Sequence, residues 1–469
     1  MFIGGSVVTL SGTNFGLTQI SSYISVGDKE AVVQSWSDTR IIISCPKLPP
    51  GPQSIMLNHH ITGLAAFDTN IPTAINYQLE ISSISPTKGS IYGGSDVTII
   101  GAGFPSDKSL YDIAFGPEHG GDDDRATKCD VKTATATEVV CQLQSTSKVH
   151  TVTNMGHTPG VGPYFKWEPS YLEIHQGDTV EWTWDAPEFL QDLKYGVFQR
   201  KNSTTEEIDE NGFSSGDTRT AKGYFKYRFW DVGFHYYTSK RVDKLEKFIL
   251  NGAIKVISKP ARSMGVLNIN IAGSKPLWSS ATPCASPHPG PTVAGCTVPE
   301  PTYSGSSKCV YKFWQCLTPE IISMRSVENN AWPTVAFHGK GFDTTAENNI
   351  ITIGEGYSCN VNSASGSDIS CIVDHNNTMP VNQDLATVLR LKNNGYPKIS
   401  PMATMEFRLQ PKIVSITPNL ASFLGGTNIT VTGYGFVGTP GATTVSLGGN
   451  HECLVKEVTY TQIKCTIVV

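Results

Sequence analysis

The sequence predicts an all-β chain in which several small β-sandwiches follow one another. Three observations support this prediction: a recurring turn of the form Gly-x-Gly-Phe, a recurring cysteine spacing, and a composition rich in turn residues. The 469 residues include 44 Gly and 28 Pro, and only 16% of the residues are charged. Gly and Pro spread along a chain separate many short strands, and the apolar content is too high for a disordered chain.

The Gly-x-Gly-Phe turn occurs at residues 101–104, 339–342 and 433–436, and in a first copy, at residues 12–15, only Gly12 and Phe15 match it. Each turn follows a short apolar run, which is typical of a strand that ends in the turn. A Gly-Gly pair opens three of these runs, at residues 4–5, 93–94 and 425–426, and Asn329-Asn330-Ala331 stands in its place in the remaining copy. Self-similarity of this kind predicts tandem domains.

The cysteines repeat together with the turns. Three pairs are each twelve residues apart: Cys129 and Cys141, Cys359 and Cys371, and Cys453 and Cys465. The first copy has only Cys45, because Val33 stands twelve residues before it, so Cys45 is either a buried thiol or pairs outside its unit. A further cluster contains Cys284, Cys296, Cys309 and Cys316. It lacks the C-x-x-C spacing of zinc sites, so we expect disulfides there, with three connectivities open and Cys45 as a further candidate.

The unit built from these turns and cysteines resembles the IPT/TIG domain, an immunoglobulin-like β-sandwich of plexins, Met-type receptors, some transcription factors and fibrocystin-type surface proteins. The resemblance rests on the turn at residues 84–86, the Gly-Gly and Gly-x-Gly-Phe turns, and the spaced cysteines. We expect each twelve-residue disulfide to join two neighbouring strands of one unit. Each would contribute about 3 kcal/mol, since it closes a short loop in the unfolded chain.

Four such units cover about two thirds of the chain. We place them at residues 1–79, where the opening strand is missing, 80–168, 318–410, and 411–469, where the unit is cut short. Residues 276–317, rich in Pro, Ser and Gly, are interpreted as an extended connector. Because both ends interrupt a unit, we interpret the chain as an internal piece of a longer protein.

Residues 169–275 differ from the repeated unit. They contain Gly177-Asp178-Thr179-Val180 ahead of two tryptophans, then Phe213-Ser214-Ser215-Gly216, then Val232-Gly233 before Tyr236-Tyr237. In this order the motifs resemble those of cupredoxins, which are Greek-key β-sandwiches. The resemblance implies a cupredoxin-like domain inserted into the array of immunoglobulin-like sandwiches.

A blue-copper site needs a thiolate, two imidazoles and usually a weak axial thioether. Against the cupredoxin pattern, the four ligand positions fall on Tyr195, Ser239, Val242 and Leu250. None of these side chains is a copper ligand, and we expect the remaining His175 and His235 to lie on strands. The sequence therefore predicts a domain without a metal or cofactor.

Paired cysteines together with N-glycosylation sequons predict an extracellular or lumenal chain. The sequons begin at Asn202, Asn376 and Asn428. The net charge of -5 gives no reason to expect a nucleic-acid partner.

Three other patterns have ordinary explanations. Residues 433–438 match the G-x-G-x-x-G pattern, but a turn and a strand follow where nucleotide binding requires a helix. Asp122, Asp123 and Asp124 are consecutive, whereas calcium loops alternate ligands with spacers, so we interpret them as a solvated loop. The basic stretch at residues 239–248 also contains acids and is interpreted as a solvated connector rather than a glycan or membrane contact. H-E-x-x-H does not occur, and we expect no catalytic residues and no enzyme.

IPT/TIG units interrupted by a cupredoxin-like domain resemble the fibrocystin family. That resemblance implies a large single-pass surface glycoprotein of ciliary or stereociliary membranes, held by an anchor outside this chain. The chain would be a disulfide-bonded ectodomain segment, or a secreted one, that serves as a structural or adhesive spacer and a protein-interaction surface. Protein partners or self-association are expected. The alternative is a ligand-binding receptor segment of the plexin or Met kind.

Overall fold

The computed structural model describes residues 5–19, 22–68, 70–116, 126–159, 162–188, 194–205, 207–216, 220–239, 250–278, 284, 296–298, 309–327, 332–374, 378–448 and 451–468. Over these residues the chain is all-β, as predicted, with only short 3₁₀ turns between strands. Within the same ranges, no helix has the length and apolar character needed to cross a membrane.

The first sandwich contains eight strands in two sheets. They are β1 (Val7–Ser11), β2 (Tyr23–Val26), β3 (Lys29–Glu30), β4 (Val32–Trp36), β5 (Arg40–Ser44), β6 (Gly51–His59), β7 (Gly63–Leu64) and β8 (Ala74–Tyr77). One sheet has the order β1-β5-β4, and the other has the order β3-β2-β6-β7, with β8 also paired to β6. Alternating residues such as Ile41 and Ile43 of β5 are fully buried between the sheets, as expected for strands with one solvent face.

The next strands divide into three groups. The first is β9 (Glu80–Ser85), β10 (Lys88–Ser90), β11 (Asp96–Ala102), β12 (Tyr111–Gly116), β13 (Thr127–Ala134) and β14 (Glu138–Leu143). The second is β15 (Val149–Thr158), β16 (Gly162–Glu168), β17 (Tyr171–His175), β18 (Thr179–Asp185), β19 (Phe198–Arg200), β20 (Lys222–Arg228), β21 (Gly233–Ser239) and β22 (Leu250–Ile257). The third is β23 (Arg262–Ile271), β24 (Leu277–Trp278) and β25 (Val310–Trp314).

The first and third groups form one sandwich, which we call the host sandwich. Its strand order is β10-β25-β23-β12-β13-β14-β11-β9-β24. Strand β23 pairs with the whole length of β12, from Tyr111 opposite Ile271 to Gly116 opposite Val266. Strand β25 pairs with β23 and runs parallel to β10. The host sandwich is therefore completed by strands that follow the second group in sequence.

The second group forms a separate sandwich, which we call the inserted sandwich. Its two sheets have the orders β16-β15-β18-β20 and β17-β22-β21-β19. Parallel pairs of β15 with β18 and of β17 with β22 show that strands cross between the sheets. Aromatic side chains fill the core, with Trp167, Trp182 and Phe229 fully buried. Its contacts separate residues 147–259 from the host sandwich.

Two predicted boundaries are wrong. Residues 149–168 belong to the inserted sandwich, because β15 pairs with β16 and β18 rather than with the host. The predicted connector at residues 276–317 contains β24 and β25, which both join the host sheet. The reason is that an alternating strand does not reveal its partner, so strands of the insert resemble the closing strands of the host.

The third sandwich repeats the host topology without an insert. Its strands are β26 (Glu320–Val327), β27 (Thr334–Lys340), β28 (Asn349–Ile353), β29 (Tyr357–Ala364), β30 (Asp368–Val373), β31 (Asp384–Leu391), β32 (Lys398–Ile399) and β33 (Glu406–Arg408). The order is β32-β26-β27-β30-β29-β28-β31-β33. Comparison of the two places the insert in the connection between β14 and β23, which corresponds to residues 374–383 of the third sandwich.

The fourth sandwich contains β34 (Lys412–Thr417), β35 (Asn428–Tyr434), β36 (Val445–Ser446), β37 (Glu452–Val458) and β38 (Gln462–Val468). Its sheet has the order β34-β35-β38-β37-β36, which matches the first half of the third sandwich. Ile429, Val431, Cys453, Ile463 and Cys465 form its buried cluster.

Candidate functional sites

The twelve-residue cysteine pairs lie at the same point of three sandwiches. Disulfides join Cys129 to Cys141, Cys359 to Cys371, and Cys453 to Cys465, with Cα–Cα distances of 5.3, 5.4 and 5.4 Å. In each case a bulge in the first strand follows the first cysteine, as between Val131 and Thr133. In the host and third sandwiches this strand, β13 or β29, also pairs on its other edge with β12 or β28. The disulfide therefore cross-links the strand to one of its two neighbours beside the bulge.

In the first sandwich the same bulge shows which residues replace the disulfide. It lies between Val33 and Ser35, with Val33 opposite Ile43, just as Val131 lies opposite Cys141. The counterparts of the two cysteines are therefore Ala31 and Ile43, both buried. The prediction that Cys45 is the counterpart of Cys141 is wrong by two residues. Aligning the two strand pairs at their bulges places Ile43, and not Cys45, at the position of Cys141.

Cys45 instead occupies the position of the fully buried Leu143 and is itself buried and unpaired. Burial raises the pKa of its thiol, which keeps the side chain neutral and apolar. The sequence left open whether Cys45 is a buried thiol or forms a disulfide outside its unit, and the structure shows a buried thiol.

The four cysteines of the cluster form two disulfides. Cys284 is joined to Cys309 and Cys296 to Cys316, with Cα–Cα distances of 5.2 and 5.7 Å.

The Gly-x-Gly-Phe turn packs against the opening strand of its own sandwich. A Cβ atom on Gly101, Gly339 or Gly433 would lie 1.9, 2.0 or 1.9 Å from the carbonyl oxygen of Glu80, Glu320 or Lys412 respectively. The ring of the motif's Phe covers the same glycine from the other side, at 2.6–2.7 Å from that Cβ position. The first glycine is therefore required by close backbone approach.

Three of the four copper-ligand positions meet in the inserted sandwich. Ser239 lies opposite Leu250 in the sheet, and the backbone N–H of Gly196, next to Tyr195, donates to Ser239 Oγ at 3.2 Å. The buried Tyr195 hydroxyl donates to the Tyr164 carbonyl at 3.1 Å. Val242 lies outside the described residues.

These contacts do not fit a copper ion. A phenol, a hydroxyl that already accepts a backbone hydrogen bond, and an aliphatic side chain fill the space that ligands would occupy. His175 ends β17 and His235 lies in β21, so both histidines are on strands as predicted. Across the described part of the chain, no group of three or more His, Cys, Asp or Glu side chains is arranged to hold a metal.

Asp178 holds together the two points where the chain enters and leaves the inserted sandwich. Its carboxylate accepts from the N–H of Lys148 at 2.8 Å, the N–H of His175 at 3.1 Å, and His150 Nε2 at 3.0 Å. The turn around it also binds both ends, since Thr179 N donates to the Lys148 carbonyl and the turn's Gln176 N donates to the Ile257 carbonyl, each at 2.8–2.9 Å. The two ends of the insert are thus held side by side.

Burial alone would raise the pKa of Asp178, but the hydrogen bonds from His150 and from the backbone N–H groups of Lys148 and His175 outweigh it and lower the pKa. Burial lowers the pKa of the neighbouring Lys259 to about 8, although the Asp178 charge opposes this shift. The sequence showed Asp178 only as part of a cupredoxin-like motif. Its role at the ends of the insert depends on contacts that no local pattern reveals.

The outer face of the β16-β15-β18-β20 sheet contains a groove of about 400 Å³. Its lining is mostly apolar and comprises Thr153, Asn154, Met155, Thr183, Trp184, Asp185, Lys222, Gly223 and Tyr224. Tyr224 is 71% exposed, and the Asp185–Lys222 ion pair of 2.8 Å lies beside it. This surface is accessible to a small ligand or a peptide side chain.

The third and fourth sandwiches pack directly on each other. Only three residues separate Arg408, the end of β33, from Lys412, the start of β34. Tyr434 of the fourth sandwich lies in the buried cluster of the third. The Tyr460 hydroxyl donates to the Met379 carbonyl at 3.1 Å, and burial raises the pKa of Tyr460 to about 12. The junction is therefore a packed interface, which sequence reasoning did not identify.

Two of the three sequons lie on described, exposed positions. Asn202 follows β19, and Asn428 begins β35. Asn376, the acidic run at residues 122–124, residues 240–248 of the basic stretch, and the Asn329-Asn330-Ala331 turn lie outside the described residues.

Comparisons with known proteins match three of the four immunoglobulin-like units. The family model for the IPT/TIG domain matches residues 2–68, 79–161 and 411–468. The chain is 30% identical to Fibrocystin-L of Mus musculus over 472 residues and 30% identical to Fibrocystin-L of Homo sapiens over 474 residues. These alignments cover 99% of this chain and 11% of each relative, so the chain spans about a tenth of their length. A solved structure described as a novel purple cupredoxin from Nitrosopumilus maritimus is 18% identical to this chain. The alignment covers 23% of this chain and 99% of that chain, and its TM-score of 0.16 is too low to indicate a shared fold.

Proposed function

The chain belongs to the fibrocystin family of IPT/TIG-repeat proteins, and on that premise we propose that it is a non-enzymatic extracellular spacer. In this proposal the sandwiches hold interaction surfaces at fixed separations on a cell surface. The ciliary or stereociliary location implied by the family, and attachment through an anchor elsewhere, are parts of the same proposal.

The observation that carries the proposal is the packed junction between the third and fourth sandwiches. A flexible linker would leave both surfaces solvated, whereas here Tyr434 is only 6% exposed within the neighbouring core. The Trp332 ring also stacks on Tyr434, with 6.5 Å between centroids and 20° between planes. Burial of the Tyr434 ring in the neighbouring core, together with this stacking contact, restrains relative motion of the domains. A restrained junction transmits position and force, which is what a spacer requires.

The disulfides support an oxidising location. Each of the three repeated pairs is buried in its sandwich, with exposures of 4% or less. Small sandwiches have small cores and gain most from such cross-links, which persist in secreted and surface proteins. Occupied sequons at Asn202 and Asn428 belong to the same proposal.

A second candidate function is a ligand-binding receptor segment. The observation that favours it is the groove beside Tyr224 in the inserted sandwich, which is mostly apolar and has one ion pair at its rim. Apolar concave surfaces with a few polar groups are typical of binding sites. A ligand whose affinity falls when Tyr224 and Met155 are replaced by Ala would establish this function.

The spacer proposal is tested by loosening the junction. We would replace Tyr434 and Tyr460 by Ala in the secreted chain and measure the distribution of molecular dimensions by small-angle X-ray scattering. The matched control replaces Phe423, which is 87% exposed in the same sandwich, by Ala. We expect the double variant to retain its disulfides and to show a broader distribution than the wild type and the control. Equal distributions in all three proteins would contradict a restrained spacer.

A further inference from the structure

The outer face of the β17-β22-β21 sheet in the inserted sandwich presents an aromatic surface. Phe234 is 55% exposed, and its ring lies at 7° to the ring of Tyr236, with centroids 6.0 Å apart. Tyr171, which is 51% exposed, lies in the same row as Tyr236 with the small Ala253 between them. Three partly exposed aromatic rings on one sheet face form an apolar patch, and the largest such patch of a domain is often functional.

The chain carries a sequon beside this surface. In the pairing of β19 with β21, Phe198 lies opposite Thr238 and Arg200 lies opposite Tyr236. The pairing ends there, and the chain bends at residues 201–204. Asn202 therefore lies two residues beyond the position opposite Tyr236, where the chain leaves the edge of the aromatic surface.

The segment that carries the sequon is fixed to the sheet. The buried Arg200 guanidinium donates from Nε to the Thr205 carbonyl at 2.8 Å and from Nη2 to the Ser203 carbonyl at 3.3 Å. These bonds hold the turn at residues 202–205 close to β19. A group attached to Asn202 therefore starts from a fixed point near Phe234 and Tyr236.

The geometry of Asn202 leaves its amide nitrogen available. Asn202 Oδ1 accepts from Thr204 N at 2.9 Å, Thr204 Oγ1 at 3.0 Å and Thr205 N at 2.8 Å. The side chain is exposed, and all three of these bonds are made to Oδ1 and not to Nδ2. The Thr204 hydroxyl of the sequon therefore already contacts the Asn202 side chain.

We propose that the Phe234–Tyr236 surface is the seat of an N-linked glycan attached to Asn202. This inference rests on the proposed extracellular function. In the modification, Asn202 Nδ2 bonds to the anomeric carbon of an oligosaccharide carried on a lipid pyrophosphate. The glycosyl–phosphate bond breaks, the lipid pyrophosphate leaves, and Nδ2 loses a proton. The C–H face of the first sugars then packs on the aromatic rings, whose faces carry partial negative charge.

The charges beside the surface fit a neutral occupant. Lys255, opposite Phe234, is paired with Glu173 at 2.8 Å, so the two charges neutralise each other. A tethered sugar needs little intrinsic affinity, because a short tether holds it at millimolar effective concentration. A second copy of the chain is a weaker fit, since three partly exposed rings fall short of the roughly 800 Å² per partner of a stable interface.

The test uses the full chain secreted from a eukaryotic cell line with ¹³C-labelled sugars. Mass spectrometry gives the occupancy of each sequon, and NMR gives the chemical shifts of the first N-acetylglucosamine at Asn202 and at Asn428. We expect ring-current upfield shifts at Asn202 that the double variant F234S/Y236S loses. The matched control Y224S alters an exposed aromatic residue on the opposite sheet and should keep the shifts.

Further variants distinguish attachment of the glycan to Asn202 from packing of that glycan on Phe234 and Tyr236. T204A should abolish occupancy at Asn202, whereas S203A keeps the sequon and should retain it. The inference is overturned if Asn202 is unoccupied while Asn428 is occupied, or if its sugar shifts are the same in the wild type and in F234S/Y236S. It is also overturned if the wild type dimerises and F234S/Y236S does not, because a second copy would then cover the surface. Secreted protein with free thiols and no occupied sequon would instead contradict the proposed function itself.

Discussion

The Tyr311 hydroxyl donates a hydrogen bond of 2.8 Å to Ser95 Oγ, although 216 residues separate the two side chains in sequence. Both are fully buried, and the Tyr311 ring packs against Phe115 and Phe313 at centroid distances of 5.7 and 4.9 Å. Ser95 precedes the insert and Tyr311 follows it. The core of the host sandwich is therefore complete only when the chain returns from the inserted sandwich.

Removal of residues 147–259 should leave a folded host sandwich. The third sandwich joins the equivalent strands through residues 374–383, and the two ends of the insert are held side by side around Asp178. A short loop can therefore span the gap without strain. We would replace 147–259 by a loop with the sequence of residues 374–383 and map disulfides after secretion. We expect Cys129–Cys141, Cys284–Cys309 and Cys296–Cys316 to persist.

The same experiment has a reciprocal half. Residues 147–259 expressed alone should unfold in one cooperative transition, because Trp167 and Trp182 lie in a core made only of that segment. Scrambled host disulfides in the shortened chain, or an insert without a cooperative transition, would show that the two sandwiches are not independent folding units.

A disulfide can be introduced into the first sandwich at the position that the bulge defines. The double variant A31C/I43C places thiols at the counterparts of Cys129 and Cys141, where the Cα–Cα distance is 5.3 Å. We expect a bridge that stabilises this sandwich by about 3 kcal/mol, since it closes a loop of about a dozen residues. Free-thiol titration and thermal unfolding, with and without reductant, measure the effect.

The control for this disulfide uses the spacing that the sequence alone suggested. V33C places a thiol twelve residues before Cys45. Because Val33 lies opposite Ile43, positions 33 and 45 are offset along the two strands in the opposite direction from positions 31 and 43. We expect no bridge between position 33 and Cys45. A V33C bridge that forms as readily as the A31C/I43C bridge would mean that the register deduced from the bulge is wrong.

The sequence was sufficient for features that repeat or that lie close together in the chain. Local patterns predicted the fold class, the turn at Gly101 and the three disulfides between cysteines twelve residues apart. The meeting of Tyr195, Ser239 and Leu250 follows from a family pattern with a fixed strand order. Each of these depends on residue types at constant separations, which are visible in one sequence.

The sequence could not predict features that depend on which strands pair with each other. Strands β15 and β16 alternate in the same way as β23 and β25, so nothing local shows which pair closes the host sandwich. The IPT/TIG match at residues 79–161 likewise continues into β15. The counterpart of the disulfide in the first sandwich was missed because a bulge shifts the register by one residue without any sign in composition. The Tyr434 junction was missed because a buried tyrosine and an exposed one look alike in sequence.

The close approach of Gly339 to the opening strand predicts a severe effect of a single methyl group. G339A places a Cβ 2.0 Å from the Glu320 carbonyl oxygen, and backbone atoms cannot move aside without disturbing β26. We expect a loss of about 2–3 kcal/mol in the stability of the third sandwich. The matched control is G366A, where a Cβ would meet no atom within 4 Å and which should change stability by less than about 1 kcal/mol. Equal denaturant midpoints for the two variants would refute the contact.

Asp178 predicts how the inserted sandwich responds to pH. Its folded-state pKa lies below the ordinary value of 3.8, so its stabilisation is fully present above that value and is lost as the pH falls through the folded-state pKa. D178N removes the charge that three donors stabilise and should cost about 3 kcal/mol at pH 7, while flattening the acid dependence. Denaturant unfolding at pH 7 and pH 3, followed by tryptophan fluorescence of the inserted sandwich, measures both effects. The control D185N removes an exposed partner of Lys222 in the same sheet and should change stability by at most about 1 kcal/mol. A D178N variant that keeps the acid sensitivity of the wild type would show that the ends of the insert are held by other contacts.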